Sequence, residues 1–378
     1  MSDRGLEEKV KRILQWRKGI KVGPVRIELH PTDACNLKCR FCWQTTVDKP
    51  DRSRELSEQK LLSIVDEAAS MNVREWIISG GGEPLVRKST TMKILKRIKE
   101  HGMWGQLTTN GTLFEREDIE TLVKIGWDQI QFSIDGPTAE IHNYLRRGKD
   151  AFEKAIKNVR LFSELKKKIG TTKPFIGFNM VLNAMNYDKI EEMIKLAHIT
   201  GSQLVYIEPI YSGYLSKERL SLNEKEIREL KRHIKKAIKV AKELGINTNA
   251  DQFFQTYLVD KNHFKDTVLK EVEGTENDII TVPCFQPWYL MGIKGSGLAG
   301  CCSTFEVGEY IHKKTLQEVW FGPVFEKIRK EMIEKKIPDY CSKCSVVVVM
   351  DNRKLRAALK DAIRTSAMGS IGHSVKAI

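Results

Sequence analysis

The sequence predicts an α/β fold, in which six strand–helix units form a partial (β/α)6 barrel of parallel strands followed by a small cysteine-bearing domain. Strand and helix patterns alternate six times between residues 25 and 244. Five of the eight cysteines lie in the last quarter of the 378-residue chain. Six units are too few to close an eight-stranded barrel, so we expect the barrel to be open.

The predicted strands are short runs in which apolar residues dominate or alternate. Residues 25–30 show the alternation most clearly, because Val25, Ile27 and Leu29 are separated by polar residues. The other strands are predicted at residues 75–79, 105–109, 129–134, 175–182 and 204–210.

The predicted helices follow from capping residues and apolar stripes. One is predicted over residues 5–18, and Ser57 is a favourable N-cap for the helix after the first strand. Later helices are predicted over residues 90–101, 115–125, 150–168, 187–199 and 224–244, and a basic one over 352–364. Each of the five helices predicted between residues 90 and 244 is followed by a glycine, because glycine readily adopts the left-handed conformation that ends a helix. These glycines are Gly102, Gly126, Gly170, Gly201 and Gly245.

Composition and charge limit the class of protein to which the chain can belong. The first twelve residues are charged and lack the apolar run of a signal peptide. The strongly apolar stretch at residues 346–350 is far too short to cross a bilayer. We therefore expect a cytoplasmic protein with no membrane partner, whose cysteines are reduced ligands rather than disulfides.

The net charge of +14 has more than one interpretation. Lysines and arginines in residues 231–242 interleave with Ile and Ala, which is typical of a solvated helix face. An anionic small substrate is the next interpretation. We do not expect a nucleic-acid partner, because aromatic residues do not alternate with the basic ones.

Cys35, Cys39 and Cys42 follow the first predicted strand with the spacing C-x3-C-x2-C. Three thiolates this close can hold three irons of a [4Fe–4S] cube and leave the fourth iron open to a small molecule. A zinc site is the alternative, although zinc ligands usually come as two separated pairs.

Glycines and polar residues follow the next three strands, where ligands bind in parallel α/β sheets. Residues 79–84 read Ser-Gly-Gly-Gly-Glu-Pro, residues 108–112 Thr-Thr-Asn-Gly-Thr, and residues 133–137 Ser-Ile-Asp-Gly-Pro. Taken singly, each is consistent with a plain turn.

Together with the cysteine loop, these stretches resemble the radical S-adenosylmethionine (radical SAM) enzymes over about residues 23–210. The resemblance implies that Gly81, Gly82 and Glu83 bind the methionyl amine of SAM. It also implies that Asn110 and Ser133 lie near the ribose and methionine, that Phe41 flanks the adenine, and that an arginine meets the carboxylate. That arginine is either Arg146 or Arg147, which precede Gly148.

The later cysteines resemble those of a SPASM or "twitch" domain, which bind an auxiliary [4Fe–4S] cluster. The implied ligands are Cys284, Cys302, Cys341 and Cys344, with Cys301 a close alternative to Cys302. No cysteine follows Cys344, which favours one auxiliary cluster over two. A structural zinc site with the same four thiolates is the alternative.

The expected domain organisation follows from these motifs. It is an N-terminal helix in residues 1–22, a radical SAM core in 23–248, a linker in 249–283, a SPASM/twitch-like domain in 284–345, and a C-terminal helix and tail in 346–378. Few helical signals are visible in residues 284–345.

The resemblance implies reductive cleavage of SAM to a 5′-deoxyadenosyl radical that abstracts hydrogen from a substrate. An electron donor such as flavodoxin or ferredoxin is expected. We favour a small-molecule substrate, anionic or sugar-like, over a peptide or protein substrate. Glu208, Tyr211 and Tyr214 follow the sixth strand and are candidates to face it. A non-catalytic module that binds zinc and RNA is the alternative from a different class.

Overall fold

The structure is a computed structural model that describes residues 5–42, 44, 52–210, 220–254, 268–302, 307–338, 341, 344 and 346–374, with side chains as far as residue 365. Its strands are β1 (Arg26–Leu29), β2 (Glu75–Ile78), β3 (Trp104–Thr109), β4 (Gln129–Ser133), β5 (Phe175–Leu182), β6 (Leu204–Pro209), β7 (Asn247–Thr248), β8 (Leu290–Ile293), β9 (Leu298–Gly300) and β10 (Glu309–Tyr310).

The α-helices pack around these strands and follow them along the chain. They are α1 (Leu6–Arg17), α2 (Glu58–Ser70), α3 (Lys88–Glu100), α4 (Arg116–Lys124), α5 (Ala139–Arg146), α6 (Ala151–Ile169), α7 (Ile190–Thr200), α8 (Glu224–Leu244), α9 (Gln286–Tyr289), α10 (Leu316–Trp320), α11 (Pro323–Ile333) and α12 (Val346–Ser374). None of the helices in the described part of the chain combines the length and apolar character that crossing a bilayer requires.

One sheet contains all ten described strands. Strands β1 to β6 are neighbours in chain order, and each pair is parallel. On one side β7 pairs with β6, and on the other β8 pairs in parallel with β1. Strands β9 and β10 extend the β8 side in antiparallel pairs, so the sheet stays open. The predicted α/β class with six parallel strand–helix units is therefore confirmed.

The two faces of the sheet differ in chemistry. Ile27, Leu29, Leu107 and Phe132 are fully buried and belong to the main hydrophobic core. Side chains alternate across a strand, so the residues between them lie on the opposite face. On β1 and β3 the half-buried residues between them include Glu28, Gln106 and Thr108. The face away from the core is therefore polar.

Several elements were not predicted. Helix α5 has eight residues and no counterpart among the predicted helices. In residues 284–345, α10 and α11 correct the expectation of few helices. Thr315 caps α10 by accepting a hydrogen bond from the Glu318 backbone N–H, and Pro323 occupies the first turn of α11. Strands β7 to β10 have two to four residues each, too few for a visible periodicity.

The two cysteine sets lie toward opposite ends of the β1–β8 pair. The loop with Cys35, Cys39 and Cys42 follows the carboxyl end of β1. Cys284 precedes α9 and the start of β8, which is parallel to β1. Cys301 and Cys302 follow β9, which runs antiparallel to β8. The later cysteines therefore lie toward the amino end of β1.

Leu107 and Gln106 test the difference between the two faces of β3. We expect Leu107→Ala to lower the free energy of unfolding by about 2–5 kcal/mol, because it leaves a cavity in a fully buried site. Gln106→Ala, on the polar face, is expected to change it by less than about 1 kcal/mol. Urea unfolding of both variants measures the difference. Equal losses would contradict the assignment of the two faces.

Candidate active site and metal centres

The loop after β1 brings the first three cysteines together. The Cys42 backbone N–H donates to the Cys39 carbonyl at 3.2 Å, and the Leu37 N–H donates to the Cys35 Sγ at 3.4 Å. Cys39 is buried, Cys42 is half-buried and Cys35 is exposed. The charge of Cys42 acts on both Cys35 and Cys39, and the charge of Cys35 also acts on Cys39. The three thiols therefore lie on one short loop, although no group of three His, Cys, Asp or Glu side chains among the described residues is placed to hold a single metal ion.

Burial raises the pKa of all three thiols, and that of Cys39 reaches about 12. Buried thiolates therefore require a cation, and a bound metal supplies it. A set made only of thiols, on one short loop, fits the iron ligands of an iron–sulfur cluster.

The glycine loop after β2 packs directly against the cysteine loop. The N–H groups of Gly82 and Glu83 donate to the carbonyls of Thr32 and Ala34 at 3.1 and 2.8 Å. A Cβ atom at Gly82 would lie 2.0 Å from the Ala34 carbonyl oxygen, so only glycine fits. Gly81 and Gly82 thus hold the loop that carries Cys35.

Glu83 is buried, and internal donors contact both of its carboxylate oxygens. Oε1 accepts from the Thr109 hydroxyl at 2.7 Å and from the Leu85 N–H at 3.1 Å, and Oε2 accepts from the Asn110 N–H at 2.7 Å. Burial raises the pKa of Glu83, and these hydrogen bonds oppose that rise. Glu83 therefore fixes the end of β3 beside the glycine loop.

Asn110 and Ser133 lie at the carboxyl ends of β3 and β4. The Asn110 side-chain amide donates to Asn36 Oδ1 at 2.8 Å, which ties β3 to the residue after Cys35. Ser133 is buried and pairs in register with Asn179 of β5. The structure thus gathers the predicted residues from three strand ends around one loop.

Arg146, at the end of α5, points at the cysteine loop. Its Nη1 lies 3.7 Å from the Cys39 Sγ, and its guanidinium carbon lies 5.2 Å from the centre of the Phe41 ring. Arg147 is exposed and ends α5 in the left-handed conformation, with a φ of 51°. Arg146 therefore contacts the cysteine loop at both Cys39 and Phe41.

Asp135 forms a buried ion pair with Arg146, which sequence reasoning missed. Asp135 is fully buried, and its Oδ2 accepts from the Arg146 Nε while Oδ1 accepts from the Val181 N–H at 2.8 Å. Burial opposes the charge on Arg146, but the charge of Asp135 still raises the pKa of Arg146 above its usual value. The Asp-Gly turn after β4 was the only signal in the sequence, and it does not reveal a partner eleven residues away.

The polar face of the sheet carries two further carboxylates. Ser79 donates to Glu28 at 3.0 Å, and the His30 Nε2 lies 3.6 Å from the same Glu28 oxygen. Burial raises the pKa of Glu208 on β6, the side chain of Asn179 opposes the shift by a hydrogen bond, and the charge of Glu28 reinforces it. Glu28 and Glu208 therefore interact across the interior, as expected if the sheet curves into a barrel.

Tyr211 and Tyr214, the other two candidates to face a substrate, lie outside the described residues.

The later cysteines line one cavity in the C-terminal region. Its walls include Pro287, Met332 and five thiols: Cys284, Cys301, Cys302, Cys341 and Cys344. Burial raises the pKa of Cys284 to about 11 and that of Cys301 further. The convergence of thiols from three separate segments fits a thiolate-ligated metal centre. Both Cys301 and Cys302 reach it, so the geometry alone does not choose between them.

Comparison with known proteins agrees with this arrangement. Residues 29–197 match the radical SAM superfamily, and residues 284–345 match SPASM, an iron–sulfur cluster-binding domain. The chain is 29% identical to the tungsten-containing aldehyde ferredoxin oxidoreductase cofactor-modifying protein of Pyrococcus furiosus, over 44% of this chain and 46% of that protein. It is 30% identical to the mycofactocin maturase MftC of Mycolicibacterium smegmatis, over 50% of this chain and 45% of that protein.

The fold is similar to that of SuiB from Streptococcus suis, solved with its precursor peptide SuiA. The TM-score is 0.62 at 18% identity, over 84% of this chain and 70% of SuiB. The chain spans about half the length of the curated relatives it matches. The radical SAM domain implies a [4Fe–4S] cluster and SAM as cofactors, and the SPASM domain implies auxiliary iron–sulfur ligation. The chain therefore carries a radical SAM domain in residues 29–197 and a SPASM domain in residues 284–345.

Proposed function

We propose that the chain is an enzyme that reductively cleaves SAM and abstracts hydrogen from a substrate held in the barrel. The observation that carries this proposal is the convergence of Cys35, Cys39 and Cys42 with Glu83 and Arg146 at the carboxyl end of the sheet. When bound, the cluster and SAM supply one-electron chemistry that ends in removal of a hydrogen atom from a C–H bond.

The chain's own residues bind and orient SAM in this proposal. Arg146 receives the SAM carboxylate, because a guanidinium binds carboxylates in a planar, bidentate manner. Asp135 holds Arg146 in place. The loop of Gly81, Gly82 and Glu83 receives the methionyl amine, with Glu83 as its carboxylate. Asn110, Ser133 and Phe41 complete the SAM site at the strand ends, and Arg147 has no role in it.

The substrate class follows from the polar face of the sheet. Glu28 and Glu208 are carboxylates, and the cation beside them, Arg146, pairs with Asp135 and is assigned to the SAM carboxylate in this proposal. This interior favours a substrate group that donates hydrogen bonds or carries positive charge. It argues against the anionic small molecule that the basic composition suggested.

We propose a peptide substrate as the better fit. MftC is named a maturase, and SuiB was solved with a precursor peptide. A SAM- and reductant-dependent mass change in a short peptide encoded beside this chain's gene would support the proposal. Turnover of an amine-bearing small molecule, with no peptide modified, would contradict it. A flavodoxin or ferredoxin is the proposed electron donor.

Replacing any one of Cys35, Cys39 and Cys42 by Ala should abolish SAM cleavage, because two thiols cannot hold the site-differentiated cluster. The measurement is iron content, absorbance near 400 nm and 5′-deoxyadenosine formation after anaerobic reconstitution and reduction. Wild type is expected to hold about eight irons in two clusters. Retained cleavage in a reconstituted variant would defeat the assignment, and a colourless wild type with stoichiometric zinc would favour the metal-module alternative.

Asp135→Asn should destabilise the protein by about 3–5 kcal/mol and weaken SAM binding, because it leaves the Arg146 guanidinium buried without its counter-charge. Urea unfolding and SAM titration measure the two effects. Asp150→Asn is the matched control, since Asp150 is exposed and pairs with Lys154 at 3.0 Å on the surface. An Asp135→Asn variant as stable as the control would refute the role given to the pair.

Cys302→Ala should lose the auxiliary iron, about half of the total, whereas Cys301→Ala should keep it. This follows from the proposed ligand set of Cys284, Cys302, Cys341 and Cys344, in which Cys301 lines the cavity without ligating. Iron and sulfide counts on both variants provide the measurement. Loss of the auxiliary iron from Cys301→Ala, with retention in Cys302→Ala, would instead make Cys301 the ligand and Cys302 the residue that only lines the cavity.

A further inference from the structure

Arg329 on α11 and Arg356 on α12 are buried next to the auxiliary cysteines. We propose that their guanidinium groups are counter-charges of the auxiliary cluster and make it easier to reduce than it would be without them. The inference rests on the proposed function for its metal centre. It goes further by assigning a redox-tuning role to residues that are not ligands.

Arg356 holds the chain on both sides of Cys284. Its Nη1 donates to the Val282 carbonyl at 3.0 Å, and its guanidinium carbon lies 5.1 Å from the centre of the Phe285 ring. The residue is only 9% exposed, and its Nε and Nη2 are buried without a hydrogen-bond partner among the described residues. Two N–H groups of a cation thus remain unsatisfied beside a thiol ligand.

Arg329 contacts Pro287, one of the residues that form the wall of the same cavity. Its Nε donates to the Pro287 carbonyl at 2.9 Å, and Nη1 donates to the Trp320 carbonyl at 3.0 Å. Its guanidinium carbon lies 4.5 Å from the ring centres of both Trp16 and Trp320. It is 5% exposed, and its Nη2 has no hydrogen-bond partner in the described part of the chain.

Neither arginine has a carboxylate within ion-pair distance among the described residues. Glu271 is the carboxylate that most raises the pKa of Arg356, and it pairs with Arg353 at 2.6 Å. Glu326 is the carboxylate that most raises the pKa of Arg329, and it pairs with Lys21 at 2.9 Å. The next acidic groups acting on the two arginines are the thiols of Cys284 and Cys301.

A buried guanidinium without a counter-charge is strongly destabilising, and burial lowers the pKa of Arg329 to about 9 although the charges of Glu326 and Cys301 oppose the shift. Four thiolates outweigh the positive charge of a cubane core, so an auxiliary cluster in this cavity is a net anion. It supplies the negative charge that both arginines lack.

The same electrostatics favour the reduced cluster. Reduction adds one negative charge, and a nearby positive charge stabilises the more negative form further, especially in a low-dielectric interior. Asn352 acts in the same direction, because its Nδ2 lies 3.6 Å from the Cys284 Sγ and its Oδ1 accepts from the Phe285 N–H at 2.9 Å. Hydrogen bonds to ligand sulfur raise cluster potentials.

The test is an EPR-monitored redox titration of the reconstituted full chain, with the cluster signal that responds to SAM as an internal reference. We expect Arg356→Gln and Arg329→Gln each to lower the ratio of reduced to oxidised auxiliary cluster about tenfold at a fixed potential, equivalent to about 59 mV. Arg356→Lys and Arg329→Lys should restore most of the ratio. Arg364→Gln is the matched control, because Arg364 lies on the same helix as Arg356 with its side chain 77% exposed.

The inference would be overturned if, at the same fixed potential, the ratio of reduced to oxidised auxiliary cluster in both Gln variants stayed within about threefold of the wild-type ratio. The inference would also be overturned if the Lys variants lowered this ratio as much as the Gln variants do. The positive charge would then have no effect, and the arginines would act only through packing. Loss of auxiliary iron from the Gln variants with retention in the Lys variants would support the inference. A wild type without any auxiliary cluster would instead defeat the proposed metal centre, and the inference with it.

Discussion

The buried ion pair between Asp135 and Arg146 is the interaction on which the candidate site depends. Asp135 is fully buried at the end of β4 and also accepts a hydrogen bond from β5. Arg146 extends from α5 to the cysteine loop. One pair of opposite charges thus joins two strands, a helix and the metal-binding loop. A buried charge tolerates little displacement from its partner, so the pair fixes the position of the Arg146 guanidinium beside the cysteine loop, where the proposed function places the SAM carboxylate.

The sequence was a good guide to the barrel and to the strand ends, for physical reasons. Long apolar strands and helices with capping residues follow local rules, and the motif residues Gly81, Gly82 and Asn110 lie where parallel strands end. The sequence carries no comparable local pattern for contacts between residues that are distant in the chain. Asp135 lies in a predicted turn, and its partner lies on another element. Arg356 falls in the predicted basic helix over residues 352–364, and no pattern in the sequence singles out Arg329. The short strands β8 to β10 depend on pairing with β1 and with each other rather than on a local pattern.

Net charge proved a poor guide to the interior. The chain carries a formal charge of +14, and basic residues on α8 such as Lys235 and Lys239 are exposed. The barrel interior instead presents Glu28 and Glu208, and burial, reinforced by the charge of Glu28, raises the pKa of Glu208. Exterior lysines are separated from these carboxylates by a hydrophobic layer. The overall composition therefore describes the solvated surface. The alternation of apolar and polar side chains along the strands describes the chemistry of the barrel interior.

The placement of the two cysteine sets at opposite ends of the β1–β8 pair has a consequence for electron movement. β1 contains four residues, which corresponds to a span of about 13 Å. Electron tunnelling between redox centres depends steeply on their separation and works best through well-packed covalent and hydrogen-bonded paths. In the proposed arrangement of two clusters, the hydrogen-bonded ladder between β1 and β8 forms part of such a path. A residue inserted into β1 would change the length of that ladder, and with it the tunnelling rate between the two proposed clusters.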